Sequence, residues 1–335
     1  MLRQYLLLIR APNLFTVPSN IMSGYFALTP PSNADLGQLI SLIISSVFLY
    51  ISGIVLNDYV DIEVDRKERP NRPLVSGRIT KSSALIIAGA SIITANILAF
   101  LVSWASLVIS ASLTAVIIAY NYRLKRNGVT NPLTMASARF LNVVLGGSSA
   151  LGLSLIMHQN HMVLVFVGFS LFLYTAAISV LSRKEIADPE NASLRSSWVA
   201  IAISFSIVFV VIALILAIGL LGYFQIGFIL NLSIFLSLMT VTLLHLIIKI
   251  RIPTNPIGKK EKEHQYNVRM ADQKDRNKIH WRAAMEIQNT IKVMVLSIVI
   301  LDSIFLSGLA GIHYGMATLF LVIPPIYLGR KLYVT

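Results

Sequence analysis

The sequence predicts an all-α protein that crosses a membrane many times. Three observations carry that reading. Of the 335 residues, 56% are hydrophobic and only 13% are charged, about half the charged share of a soluble domain. The apolar residues gather into runs of the length a bilayer-spanning helix needs, about 20 residues. All 28 Lys and Arg residues fall in or just beside alternate connections between those runs. There is no Cys, which excludes structural disulfides, thiolate nucleophiles and Cys-ligated zinc or iron–sulfur centres. The net charge of +13 would suggest a nucleic-acid partner in a soluble chain. Here it reads as the positive-inside signature plus attraction to anionic lipid head groups, so no nucleic acid is expected.

Ten spans follow in order. The first, 12–29, carries Pro12 and Pro18. Around its start, Arg10, Pro12 and Asn13 interrupt the early apolar stretch, which therefore does not read as a cleavable signal peptide. Span 38–58 ends on Asn57 and Asp58. Spans 82–103 and 105–121 are separated by a turn near Ser103 and Trp104. Spans 133–156, 162–181, 197–221, 225–248 and 287–310 come next. The last, 313–329, is short and contains Pro324 and Pro325.

With the N-terminus in the cytoplasm, the inner segments are 1–11, 59–81, 122–132, 182–196, 249–286 and 330–335. Every Lys and Arg lies in or just beside one of them, and the outer loops have none. That bias sets the orientation, with both termini and the polar loops cytoplasmic. The outer loops are short, so function is expected at the cytoplasmic end. The whole chain, 1–335, reads as one transmembrane domain. Its long loop 249–286 reads as a solvated, partly helical cytoplasmic connector.

The informative segment runs from Asn57 to Ile79, NDYVDIEVDRKERPNRPLVSGRI. If the helix continues past the membrane, Asn57, Asp61 and Asp65 stand at i, i+4 and i+8 on one face, with Asp58 three residues before Asp61. Like charges so placed repel, and a cation between them removes the conflict. Hard oxygen ligands without His or Cys suit Mg²⁺, which binds one or two carboxylates plus substrate phosphates. The following Arg and Lys residues suit the outer phosphate oxygens.

This segment resembles the first signature of the UbiA superfamily of intramembrane prenyltransferases, NDxxDxxxD followed by RPLxxGxI. The matching residues are Asn57, Asp58, Asp61, Asp65, Arg72, Pro73, Leu74, Gly77 and Ile79. Ile9 to Leu14 (IRAPNL) resembles the family's opening of helix 1. Tyr120 to Arg126 (YNYRLKR) resembles its basic loop after helix 4. The resemblance implies two four-helix bundles around a cavity open to lipid, here with nine to ten helices. It also implies Mg²⁺-dependent transfer of a prenyl group from a polyprenyl diphosphate to an aromatic or other acceptor, including a lipid. On that reading Asn57, Asp61 and Asp65 hold Mg²⁺, with Asp58 beside them in the catalytic set. Lys125, Arg126 and Arg72 contact the diphosphate as the allylic C–O bond breaks. The apolar spans hold the isoprenoid tail and exclude water.

The family's second signature, usually another Asp-rich motif after helix 6, is not matched. The segment there is YTAAISVLSRKEIADPE, Tyr174 to Glu190, and its carboxylates are Glu185, Asp188 and Glu190. Glu185 and Asp188 are the candidates for the second half of the metal site, and Arg183 for a diphosphate contact. Glu185 reads equally well as a simple partner of Arg183 or Lys184. The Ser182-Arg183-Lys184-Glu185 form and Asp302 in span 9 resemble a divergent UbiA-like subgroup often called EboC. A missing second motif also leaves open a non-catalytic or transport protein that handles a polyprenyl or lipid-linked precursor on the same fold.

Other residues stand out. Arg139 lies within span 5, where a charge needs a polar partner. A contact with the diphosphate or the acidic loop is expected for it, and Asn142 can share that face. Asp302 is expected to be hydrogen-bonded inside the membrane, with Ser303 or Ser307 as partners. Gly146 and Gly147 read as a close helix–helix contact. Trp104, Tyr223 and Phe224 read as outer-interface anchors.

Overall fold

The computed structural model describes residues 2–151, 159–187, 237 and 291–333, and all regular structure among them is helical. The elements are α1 (Leu2–Leu8), a 3₁₀ turn (Ala11–Thr16), α2 (Val17–Leu28), α3 (Leu36–Val60), α4 (Ile62–Glu68), α5 (Lys81–Val102), α6 (Trp104–Tyr122), α7 (Thr130–Gly147), α8 (Gln159–Ala187), α9 (Ile291–Leu309), α10 (Ile312–Leu319) and α11 (Ile323–Tyr333). Six stretches among the described residues are long and apolar enough to cross a membrane: Leu36–Val60, Lys81–Val102, Trp104–Tyr122, His161–Val180, Ile291–Leu309 and Ile312–Gly329. They match spans 2, 3, 4, 6, 9 and 10 of the sequence reading. Span 197–221, span 225–248 apart from Ser237, the loop 249–286, and Asp188, Glu190, Tyr223 and Phe224 lie outside the described residues.

Polar caps fix several helix starts. The Asp35 carboxylate accepts from the Gly37 and Gln38 amides (2.8 and 3.1 Å), Thr80 Oγ1 from Ser83 N (3.1 Å) and Ser103 Oγ from Ser106 N (3.0 Å). Each such cap is worth about 1 kcal/mol. The first expected span is corrected. Residues 11–16 form a 3₁₀ turn with Pro12 near its start, and the α-helix begins only at Val17, with Pro18 in its first turn. Proline lacks the amide proton that a helix interior needs, and so is tolerated only at such starts. Span 5 is also shorter than expected. It ends at Gly147 rather than running on to residue 156.

α2 lies inside the bundle. Its small residues allow a close approach to α7. A Cβ on Gly24 would sit 1.9 Å from the Val143 carbonyl oxygen, and one on Gly146 would sit 2.2 Å from the Ile21 carbonyl oxygen. The expected close contact at Gly146 is therefore present. α5 shows how an outer helix is held. Ala84, Ala88, Ser91, Ala95 and Ala99 form a buried stripe, α3 packs along α5, and Ser45 Oγ donates to the Ala95 carbonyl (2.8 Å). Its opposite face presents Ile86, Ile93, Phe100 and Leu101 outward. Small residues at the contact and bulky ones outside are the pattern expected of helices packed in lipid.

Three apolar clusters fill the interior. One joins α2, α7, α8 and α9 through Val143, Leu171, Tyr174, Ile298 and Leu301. A second joins α2, α3, α5, α6 and α7 through Ile21, Tyr25, Leu42, Ala95 and Leu145. The third gathers Leu8, Val55, Leu56, Ile62, Leu74, Ile79, Ala84 and Ala88. It anchors the acidic segment and its following loop to the end of the bundle.

Candidate active site

The acidic segment begins in the last turn of α3. Asp61 breaks the helix, with φ −89° and ψ 10°, and α4 restarts at Ile62. The i→i+4 bonds nevertheless run through the joint, from Asp61 N to Asn57 O (3.0 Å) and from Asp65 N to Asp61 O (2.8 Å). Asn57, Asp61 and Asp65 therefore keep their successive one-turn spacing. The chain then folds back. Arg72 N, Ser76 N and Ile79 N bond to the carbonyls of Arg69, Arg72 and Pro73, and Gly77 takes a left-handed φ of 72°. Leu74 and Ile79 are buried in the third cluster, which brings Arg72 against the acids.

The acids divide between cations. Arg72 Nη1 donates to Asp58 Oδ1 (2.9 Å) and to Asp65 Oδ2. Arg10 Nη2 donates to the same Asp58 oxygen (2.9 Å). Lys125 Nζ, from the turn after α6, lies 2.6 Å from Asp61 Oδ1 and 3.4 Å from Asn57 Oδ1. Asp58 and Asp65 are buried, whereas the Asp61 side chain is 28% exposed. Burial pushes the Asp65 carboxyl above its ordinary range. The Arg72 charge and hydrogen bond oppose that rise, and the neighbouring Asp58 charge adds to it.

Arg10 is the residue that sequence reasoning placed only in the helix 1 opening. It is the one non-glycine residue with positive φ among those described, at 47°. Its guanidinium reaches Asp58 across 48 positions of sequence. Arg126, next to Lys125, is exposed and makes no ion pair among the described residues. Arg183 and Glu185 lie in the last turns of α8, which extends to Ala187. The backbone is thus helical at 185, as a helical extension of span 6 requires.

For Arg139 the structure shows a partner inside the bundle. Its guanidinium donates to Asn20 Oδ1 rather than to the acidic loop. Asn20 Nδ2 in turn donates to Asp302 Oδ2 (2.6 Å). Asp302 also accepts from Ser19 (2.6 Å) and Ser23 (3.1 Å). A charge at that depth finds the nearest buried counter-charge, here Asp302 through Asn20. These three partners of Asp302 are all on α2. The Ser303 hydroxyl bonds its own helix at the Ile300 carbonyl (2.7 Å). Asn142 shares no such network and instead accepts from Ser46. The sequence signal for this cluster was the run of polar Ser19, Asn20 and Ser23 on an otherwise apolar helix.

The donor set suits a hard divalent cation. Asn57 and Asp61 oxygens already converge on one positive charge, the Lys125 ammonium, and all donors are oxygen. Among the described residues no three His, Cys, Asp or Glu converge as a metal cluster by themselves. Mg²⁺ is commonly bound by one or two carboxylates together with substrate phosphates.

Comparison with known proteins follows the same line. The model of the UbiA prenyltransferase family matches residues 17–265. A digeranylgeranylglyceryl phosphate synthase from Methanosphaera stadtmanae is 30% identical over 177 residues, covering 52% of this chain and 60% of the relative. The synthase of the same name from Methanococcoides burtonii is 39% identical over 112 residues, 32% of this chain and 40% of the relative. The matched region thus spans between two-fifths and three-fifths of the length of these two relatives. Among solved structures, a UbiA homologue from Archaeoglobus fulgidus bound to DMAPP and Mg²⁺ has TM-score 0.54 at 18% identity, covering 86% of this chain and 99% of its own. A digeranylgeranylglyceryl phosphate synthase structure has TM-score 0.53 at 17% identity, covering 93% and 99%. At such identities the structural likeness concerns the fold.

Proposed function

This chain belongs to the UbiA prenyltransferase family, and on that premise we propose that it transfers a prenyl group from a polyprenyl diphosphate to a membrane-soluble acceptor, with Mg²⁺. The observation that carries the reading is the division of four oxygen-bearing side chains among three cations, Lys125, Arg72 and Arg10. Asn57 and Asp61 surround Lys125, and Asp58 and Asp65 surround Arg72. Asn57, Asp61 and Asp65 would hold Mg²⁺, and the ion would neutralise the diphosphate as its charge develops. Carboxylates taking up that ion leave Lys125 and Arg72 beside the phosphate oxygens. Both are donors suited to the leaving diphosphate. Arg126 is exposed at the same turn and is a further diphosphate contact. Glu185, with Arg183, is the proposed contribution of α8, and Asp188 follows directly in the chain.

In the transfer, the allylic C1–O bond breaks with its electron pair leaving on the diphosphate. A nucleophilic atom of the acceptor bonds to C1 and gives up its proton. The matched relatives are named for making digeranylgeranylglyceryl phosphate. That favours a glyceryl phosphate hydroxyl as the acceptor over the aromatic ring that the family resemblance first suggested. The active face is proposed to be cytoplasmic, on the distribution of Lys and Arg. In keeping with a return of the chain to one face, Arg3 near the start and Leu332 near the end line one cavity with Arg72.

The test is release of diphosphate from labelled geranylgeranyl diphosphate by purified protein in nanodiscs, across aromatic and prenylglyceryl phosphate acceptors. Release with Mg²⁺, lost in Asp61→Asn, is expected. Tight Mg²⁺-dependent donor binding without release to any acceptor would instead favour a lipid-handling protein.

A further inference from the structure

Arg139 on α7 and Asp302 on α9 are opposite charges inside the bundle, yet no direct ion pair between them is among those of the described residues. Asn20 of α2 stands between them. A guanidinium only donates, so Asn20 must turn its Oδ1 to Arg139 and its Nδ2 to Asp302. Asp302 is met by three neutral donors, Ser19, Asn20 and Ser23. Arg139 has Asn20 Oδ1 as its one hydrogen-bond acceptor among the described residues. A guanidinium carries five N–H groups in a fixed fork, so most of its donors remain open. Asn20 and Asp302 are fully buried, while Arg139 is only half-buried. Tyr50 of α3, within electrostatic reach of Arg139, is half-buried as well. One turn further along both helices, Ser46 of α3 donates to Asn142 of α7, and both are buried. That contact closes α3 against α7 beyond Arg139. In the other direction Asn57 lies seven residues after Tyr50 on α3, about 10 Å along the helix.

We propose that Arg139 is a specificity-determining residue for the acceptor, binding a phosphate or carboxylate that the acceptor carries close to its reacting atom. This rests on the prenyl-transfer reading. Reacting atoms sit about 3–3.5 Å apart. A metal-bound diphosphate, the reacting carbon, the acceptor atom and an acidic group a few bonds beyond it therefore span a distance of the order that separates Asn57 from the level of Arg139. The interposed amide is what suits Arg139 to this task. A direct pair with Asp302 would occupy the guanidinium fork and neutralise it. Contact through Asn20 fixes the group while leaving an edge for two parallel, charge-assisted bonds to an anion. Asn20 is thus a positioning residue, acting through Arg139. A lysine at 139 would supply charge without the planar fork.

The probes are geranylgeranylglyceryl phosphate and geranylgeranyloxyacetate, with geranylgeranylglycerol as the uncharged control. Binding is measured to the full chain in neutral-lipid nanodiscs, with Mg²⁺ and a non-hydrolysable geranylgeranyl diphosphate analogue filling the donor site. The acidic probes are expected to bind more tightly than the alcohol, and the tighter of the two identifies the acidic group. Arg139→Gln/Asp302→Asn removes both buried charges together. In it that preference should fall by roughly tenfold or more, the effect of losing a charge-assisted contact. Binding of the alcohol and of the donor analogue should stay as in the original chain, which also shows that the variant is folded. An undiminished preference in the variant, or no preference in the original chain, overturns the assignment. So does loss of donor-analogue binding by a variant that still melts cooperatively, because Arg139 would then be a diphosphate contact. If the double variant does not fold, Arg139→Lys carries the test. Charge without the fork should lower the preference, and an unchanged preference is the overturning result. Transfer is read separately. Selective binding of the acidic probes without transfer to any acceptor sinks the transferase reading and leaves Arg139 as an anion contact. Transfer with an unchanged preference in the variant keeps that reading and removes Arg139 from it.

Discussion

Replacing Arg72 by Gln isolates the electrostatics of the acidic segment. In the structure one guanidinium nitrogen serves two buried carboxylates. Asp58 would keep Arg10 at 2.9 Å, but Asp65 would lose both its hydrogen bond and its main counter-charge. At 2.9 Å and an effective dielectric of about 20, the gross attraction for one such pair is about 6 kcal/mol. Part of it returns when water reaches the vacated carboxylate. Breaking a buried pair from one side costs about 3–5 kcal/mol, and the 18% exposure of the Arg72 side chain places this case near the lower end. The assay is thermal denaturation in detergent, where a fall of several degrees is expected. Adding Asp65→Asn to the variant removes the stranded charge and should recover part of the loss. Asp65 already has a raised pKa, and without Arg72 it rises further. A carboxyl whose folded value lies above its ordinary value of 3.8 destabilises the fold while ionised. That penalty is relieved as the pH falls through the folded value. The deficit of Arg72→Gln should therefore shrink toward acid pH. A variant as stable as the original chain near neutral pH, or a double variant no better than the single one, would refute this account of the segment.

Other expectations follow from separate features. Gly24→Ala and Gly146→Ala each drive a methyl group into backbone carbonyl, so folded yield in detergent should drop sharply, by about 1–3 kcal/mol or more in stability. Asp302→Leu leaves Asn20 without its buried acceptor and Arg139 without its buried counter-charge, and should destabilise by about 3 kcal/mol or more. Asp302→Asn, which keeps hydrogen-bonding capacity, should cost less; the pair is compared by melting temperature. Glu185→Gln should reduce diphosphate release by about 2–4 kcal/mol in transition-state terms, read as kcat, and Glu190→Gln far less. Equal rates would remove Glu185 from the site. A reporter fused after Thr335 should read cytoplasmic, and an external signal would remove the last span from the topology.

Much of the fold was legible because lipid imposes a simple rule on helix composition. The run 38–58 became Leu36–Val60 and 82–103 became Lys81–Val102, with polar caps at Asp35 and Thr80 marking where water begins. The rule weakens where composition does not change at a helix end. Nothing in the apolar count distinguishes the 3₁₀ turn at Ala11–Thr16 from a helix, and the run through Gly147 stays apolar after the helix stops. In the site, the local spacing of Asn57, Asp61 and Asp65 could be read directly. Their sharing between Arg72, Arg10 and Lys125 could not, because it depends on how α1, the 69–80 loop and the turn after α6 fold onto the end of α3. The same holds for Arg139. Its depth was evident, but its partner lies on α2, and only the packing of three helices brings Asp302 within reach.

The left-handed backbone at Arg10 has a consequence for the way the N-terminus behaves as a mechanical part. Glycine would adopt that φ at no steric cost, whereas an arginine there raises the local energy by about 1–2 kcal/mol. The ion pair with Asp58 holds the turn in place against that tendency to unwind. The turn is therefore a loaded spring with its latch on the acidic segment. A charge that drew Asp58 away from the guanidinium would also remove this restraint on the bend between α1 and the 3₁₀ turn. Charge at the site and posture at the start of the chain are in this way two readings of one variable.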